Sequence, residues 1–290
     1  MTLRHIPLTL AISLLPFSLM AEEVAPPSYL MNTVSDSGLS MKPIGLDGDR
    51  EDYESFKKDK TKKISLLEVI ASVDEKKYIT ALSLIDQKMN YTMKHEGKSA
   101  AIGLALDLNI KGDILYAMGE FSQASEVYKR SLLLSEPREL EEAMFASYSQ
   151  LAICAEKENQ YATAIKYNDQ AISTGIKNEA LVSDVWLAYL SSAHYYRKLE
   201  LVDQAKASLT LAEKSAPSGM LPVVLIAKAQ FFVEQKEYVP AIAVYMSVNV
   251  LLEKAEKEGT MESSVAENAI RLNNEEIKKA RKKLKELEGK

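Results

Sequence analysis

Hydrophobic and polar positions follow different rhythms in different parts of the chain. Ile6 to Leu19 is an uncharged apolar stretch. Residues 22–60 hold no helical or strand period for long, and they carry Pro26, Pro27, Pro43, Gly38, Gly45 and Gly48 among Ser, Asp and Lys. From about residue 62 one pattern recurs. An aromatic or apolar residue is followed by two others and then Ala: Tyr78 to Ala81, Phe121 to Ala124, Tyr161 to Ala164, Val202 to Ala205 and Tyr238 to Ala241. The alanines are 43, 40, 41 and 36 residues apart. A near-fixed period of this size predicts a solenoid of stacked supersecondary units.

The flanks repeat in register with the alanines. Twelve positions before each lies Val69, Gly112, Ala152, Ala193 or Ala229, and nine before lies Ser72, Leu115, Ala155, Tyr196 or Phe232. Four after lies Ile85, Tyr128, Asn168, Leu209 or Tyr245, and seven after lies Lys88, Ser131, Ala171, Ala212 or Val248. Two helices that cross closely account for this spacing. A tiny residue on one must face a tiny residue on the other, while aromatics fill the space between successive hairpins.

The pattern resembles the tetratricopeptide repeat, a helix–turn–helix unit of 34 residues. Residues 105–138 carry it most clearly, through Gly112, Tyr116, Gly119, Phe121, Ala124, Tyr128 and Pro137. Residues 186–219 match through Ala193, Tyr196, Ala205, Leu209, Ala212 and Pro217, and residues 145–178 and 222–255 match without the closing proline. Residues 62–95 depart furthest, with Lys88 at a position that is small in the family. The first-helix Trp of the family is missing, and Trp186 sits too early to replace it. The resemblance implies an all-α, right-handed superhelical solenoid with five hairpins over residues 61–258. Spacings above 34 predict lengthened helices or linkers, such as Glu136 to Glu142.

The rhythm changes again in the charged segment 259–290. Ala266, Ile270, Asn273, Ile277, Ala280, Leu284 and Leu287 alternate in steps of four and three, an a/d seam. One reading is a helix that caps the last hairpin. The other is a helix that pairs with another chain, giving self-association through 262–290 with Asn273 as the register-setting polar residue. The basic run Lys278 to Lys285 is diluted by Glu275, Glu276, Glu286 and Glu288, so i,i+4 pairing accounts for it more simply than anionic lipid or nucleic acid.

At the amino terminus, Arg4 and His5 precede the apolar stretch, and Ala21 follows it ahead of Glu22 and Glu23. This is the layout of a signal peptide, residues 1–21, cut after Ala21. It predicts export to a periplasm or beyond, with 22–60 as a disordered linker. The apolar stretch is shorter than a spanning helix needs, and no other stretch approaches that length. Asp47, Asp49 and Glu51 alternate as calcium ligands do, but Asp52 stands where a calcium loop needs Gly and Lys58 where it needs Glu. That segment is read as an acidic patch.

Composition narrows the function. One Cys and three His argue against disulfide frameworks and zinc or multi-His centres, and a net charge of −5 argues against a nucleic-acid binder. No hydrolase, metalloprotease, P-loop or dinucleotide motif is present. Cys154, between Ile153 and Ala155, reads as a small buried hydrophobe. The expectation is a protein with no catalytic residues, metal or cofactor. Function then falls to the surface.

In the resembled family the first helices line a concave groove that takes peptides or partner helices. Carried over to this chain, the groove positions are Asn109, Asp113 and Tyr116; Ser149, Ile153 and Glu156; Leu190, His194 and Arg197; and Ile226, Gln230 and Val233. His194 and Arg197, three residues apart, form a pair able to hold a carboxylate. The family's Lys and Asn set for a terminal carboxylate is absent. The expectation is an exported scaffold that binds a protein or peptide. The alternative is a structural subunit of an envelope or secretion complex, assembled through the carboxyl-terminal helix. A helix that folds back on Tyr245, Val248 and Leu252 favours the first.

Overall fold

The helices begin and end where local chemistry dictates. In the computed structural model, which describes residues 64–95 and 100–289, no strand occurs among the described residues. The expected signal peptide and linker lie outside them. The first helix, α1 (Leu66–Asp74), opens on a capping box: Ser65 Oγ accepts from the Glu68 N–H, and the Ser65 N–H donates to Glu68 Oε2 at 2.7 Å. Ile64, just before the cap, and Val69, in the first turn, are both buried in one cluster, which fixes the angle at which the chain enters.

Two compact units follow, one ending at Val182 and the other starting at Ser183. The first holds α1, α2 (Tyr78–His95), α3 (Ala100–Ala117), α4 (Phe121–Ser135), a 3₁₀ turn at Glu136–Arg138, α5 (Glu141–Lys157) and α6 (Tyr161–Gly175). The second holds α7 (Val185–Lys198), α8 (Val202–Ser215), α9 (Leu221–Glu234), α10 (Tyr238–Lys257) and α11 (Ser263–Glu288). Within each unit, consecutive helices pack against one another. The fold is all-α, built of helical hairpins.

One turn is used five times. Lys76, Gly119, Asn159, Glu200 and Lys236 each take a left-handed conformation, with φ between 58° and 83°, five residues before the repeated Ala. The next N–H then reaches back to the carbonyl of Ser72, Leu115, Ala155, Tyr196 or Phe232 at 2.8–2.9 Å. This is the Schellman ending, which satisfies carbonyls that the last helical turn leaves open. The residues nine before each Ala are therefore turn acceptors.

Packing follows the repeat. Ala81, Ala124, Ala164, Ala205 and Ala241 are each 0% exposed, and Val69, Ala152, Ala193 and Ala229 are also buried. In the second hairpin the small residue serves a ring. A Cβ on Gly112 would collide with the Tyr128 side chain. Lys88, the misfit of the first repeat, donates to both carboxylate oxygens of Asp107 at 2.5 and 2.7 Å, and Asp107 is buried. A charge at a position that is usually small is thus answered by a charge on the next helix.

The last helix caps its unit. Ala266 and Ala269 join Val248, Leu252 and Ala255 in one apolar cluster, and Ile277 joins Tyr245 and Ala229 in another. Asn273 Nδ2 donates to the Tyr245 carbonyl at 3.0 Å and to Asn249 Oδ1 at 2.9 Å. The polar residue of the seam sets register within the chain.

Candidate functional site

The twelve groove positions sit on the first helices of hairpins, α3, α5, α7 and α9, but not all reach solvent. In the first unit Asn109 is buried. Its Nδ2 donates to the Ala143 carbonyl at 3.0 Å, and its Oδ1 accepts from Ser147 Oγ at 2.6 Å. It ties α3 to α5, because a buried amide must satisfy both ends of its dipole. Tyr116 is buried too, its ring 5.2 Å from that of Phe121, and Ile153 is 2% exposed. These three belong to the interior and not to a groove. The carried-over spacing puts them on the right helix but cannot separate a groove position from the seam where neighbouring first helices pack.

Asp113 lies between the two roles. It is partly exposed, and its Oδ1 accepts from the Tyr128 hydroxyl at 2.7 Å and from Gln150 Nε2 at 2.9 Å. Burial, then the Asp113 carboxylate, pushes the Tyr128 hydroxyl well above its ordinary range. That proton stays on and holds the carboxylate in place. Ser149 and Glu156 of α5 are partly exposed.

Two residues missing from the expected set complete this surface. Ile102 and Leu106 are 51% and 43% exposed on α3. They lie eleven and seven residues before Asp113, on the same helix stripe. α1 has nine residues and α3 has 18. A stripe read backwards from Asp113 is the signal that could have found them. The result on α3 is an exposed apolar pair, Ile102 and Leu106, on the stripe that ends at Asp113, while Glu156 is partly exposed on α5.

In the second unit Leu190 and Ile226 are buried and belong to the core. Val233 packs partly against the same cores. The carboxylate expected to meet Arg197 comes from the chain itself. Arg197 pairs with Glu234, joining α7 to α9. The His194 ring stands edge-on to Tyr195, centroids 5.9 Å apart. Gln230 is partly exposed. The first helices of this unit present the Arg197–Glu234 pair and His194 beside Tyr195 where α3 presents its apolar pair.

Cys154 is fully buried, and burial pushes its thiol up to about 12, far from nucleophilic range. A cleft of about 500 Å³ between α2, α3 and α4 is lined by Leu82, Leu115 and Val127 among others, but its Lys111 is bonded to its own Asp86 at 2.7 Å. Among the described residues no helix is long and apolar enough to cross a membrane.

Solved structures share this architecture. A putative kinesin light chain with nearly identical TPR-like repeats, from Podospora anserina, is similar over 75% of this chain and 100% of its own, at 14% identity and a TM-score of 0.53. MamA from Desulfovibrio magneticus RS-1, residues 41 to the end, is similar over 70% of this chain and 97% of its own, at 13% identity and a TM-score of 0.50. The chain has the tetratricopeptide-repeat fold. No family model matches the sequence, and no curated protein matches it. With identities this low, the tetratricopeptide likeness speaks to architecture, and the role must come from the site.

Proposed function

We propose that the protein is an exported, non-enzymatic scaffold that holds a peptide or partner protein on the first-helix face of its amino-terminal unit. The observation that carries this reading is the exposed pair Ile102 and Leu106 on the α3 stripe that ends at Asp113, with Glu156 partly exposed on α5. Isolated exposed apolar residues are ordinary, but two on one stripe beside fixed polar groups suit the alternation of anchors and hydrogen bonds that peptide recognition uses. The two acids favour a partner segment with an apolar anchor followed by a basic residue. Export rests on the apolar stretch before Ala21. The folded-back α11 supports a scaffold over an assembly subunit joined through that helix, since Ala266, Asn273, Ile277 and Ala280 of its seam are buried.

The test is selection of displayed peptides on the immobilised chain, followed by affinity measurement. Apolar–basic peptides should emerge, and Leu106→Asp should weaken them at least tenfold without lowering thermal stability. Enrichment of no motif, or a motif bound equally by Leu106→Asp, removes this face from the reading.

A further inference from the structure

The helix that receives α11 carries a second stripe on its opposite side. Lys236, in the turn that opens α10, and Val239, Ala243, Met246, Val250 and Glu253 are spaced three, four, three, four and three residues apart, and all six are exposed. Val239, Met246 and Val250 are 63%, 52% and 64% exposed, whereas Tyr245, Val248 and Leu252 on the packed side are 0% exposed. This is an a/d seam with apolar residues at its centre, a charge at each end and, among the described residues, nothing laid over it. Ala266, Asn273, Ile277 and Ala280 of the α11 seam are buried within its own unit, so that stretch is not what covers this one.

We propose that this stripe is a dimer interface: α10 pairs with α10 of a second copy of the chain, antiparallel, about a two-fold axis. The order of the residues selects this pairing. Reversing α10 about the point between Val244 and Tyr245 sets Val239 against Val250, Ala243 against Met246 and Lys236 against Glu253. Two-fold symmetry makes each pairing occur twice, as an isologous interface requires. The small Ala243 leaves room for the long, adaptable Met246 of the second copy. Each end joins opposite charges. Among the described residues neither Lys236 nor Glu253 has an ion pair to give up. A parallel in-register pairing would set Met on Met, Ala on Ala, Lys on Lys and Glu on Glu, leaving gaps and repulsion. The sequence therefore chooses the orientation as well as the partner.

The contact is one 20-residue helix, about 30 Å long, so it falls at the small end of specific interfaces. The dimer is accordingly a weak one that forms at tens to hundreds of micromolar. The test is sedimentation equilibrium of the full chain over that range. The wild type should show a monomer–dimer equilibrium, and Met246→Lys should weaken it at least tenfold while the circular-dichroism melt is retained. Lys236→Glu should weaken it, and Lys236→Glu with Glu253→Lys in the same chain should restore it.

Orientation is read by oxidation. A mixture of Val239→Cys and Val250→Cys chains should cross-link. Val239→Cys alone should not, because two copies of position 239 would lie about 16 Å apart along the axis, beyond disulfide reach. Cys154 is buried and does not interfere. A monomer at every concentration, or a dimer indifferent to Met246→Lys, overturns the proposal. Cross-linking of Val239→Cys by itself overturns the antiparallel register. Peptide selection on α3 is unaffected by any of these variants, so the two proposals stand or fall apart.

Discussion

The Tyr128 ring occupies the space a side chain at Gly112 would need. Its Cζ and Cδ1 lie 2.6 and 2.7 Å from where a Cβ would stand. The ring cannot swing aside at little cost, because its hydroxyl is anchored to Asp113 Oδ1 at 2.7 Å. Gly112→Ala should therefore destabilise the protein by about 1–3 kcal/mol through overpacking. Removing the ring should relieve the clash. In a double-mutant cycle measured by urea unfolding, Gly112→Ala should cost less in a Tyr128→Leu background than alone. Additive costs would mean that the two residues do not oppose each other.

Lys88 and Asp107 should behave as a buried pair. Asp107 is 3% exposed at its side chain and Lys88 24%, so removing the cation leaves a carboxylate with little water to turn to. Lys88→Ala is expected to cost about 3 kcal/mol, the lower end for a broken buried pair, since Lys88 keeps some solvent. Lys88→Met with Asp107→Leu, which removes both charges and keeps volume, should recover most of that loss. Thermal melts of the two variants beside the wild type are the measurement.

The same pair shows what the sequence made legible. Five alanines in register declare the hairpins, because a close helix crossing tolerates nothing larger, and the period exposes it. Lys88 looks like decay of the repeat until Asp107, nineteen residues on, is seen beside it. A pattern of single positions does not record compensation between two. The candidate site was legible by helix and not by face. Tyr116 falls on the right element, but whether it meets solvent or Phe121 depends on how the chain turns from α3 into α4. Ile102 and Leu106 fall on none of the recurring positions of the repeat, so nothing in the period marks their exposure. The break after Val182 has no Pro or Gly to mark it, and it too is a matter of packing.

The five left-handed turn residues offer a stability test with opposite signs. Only Gly119 takes that conformation without steric cost, while Glu200 takes it with a Cβ that crowds the following carbonyl, at roughly 1–2 kcal/mol. Glu200→Gly should stabilise the protein by up to about 1 kcal/mol, part of the gain being lost to unfolded-chain entropy. Gly119→Ala should destabilise by a similar amount, since nothing within 4 Å blocks a Cβ there and only the backbone angle objects. Urea midpoints should move in opposite directions. A shift of the same sign in both variants would show that the turns are not governed by this angle.

Alkaline pH should unfold the protein through Tyr128, which is buried, and Tyr148, which is partly so. Burial, and then the Asp113 carboxylate, raises the Tyr128 hydroxyl well above 10.0. At Tyr148 burial, then the hydroxyl's bond to Glu136, raises it to about 12. A group whose folded pKa is raised binds its proton more tightly in the folded state. The resulting stability is fully present below the unfolded value near 10 and is lost as pH rises through the folded value. Unfolding free energy should therefore be flat with respect to these groups up to about pH 9 and fall between about 10 and 12. Tyr128→Phe separates the contributions. It should lower stability at neutral pH by about 1 kcal/mol, for the lost hydrogen bond, and reduce the slope above pH 10. Guanidinium unfolding at steps from pH 8 to 12 measures both quantities. If Tyr128→Phe falls as steeply as the wild type, Tyr128 ionises in the folded protein, and the locked Asp113 of the candidate site is lost with it.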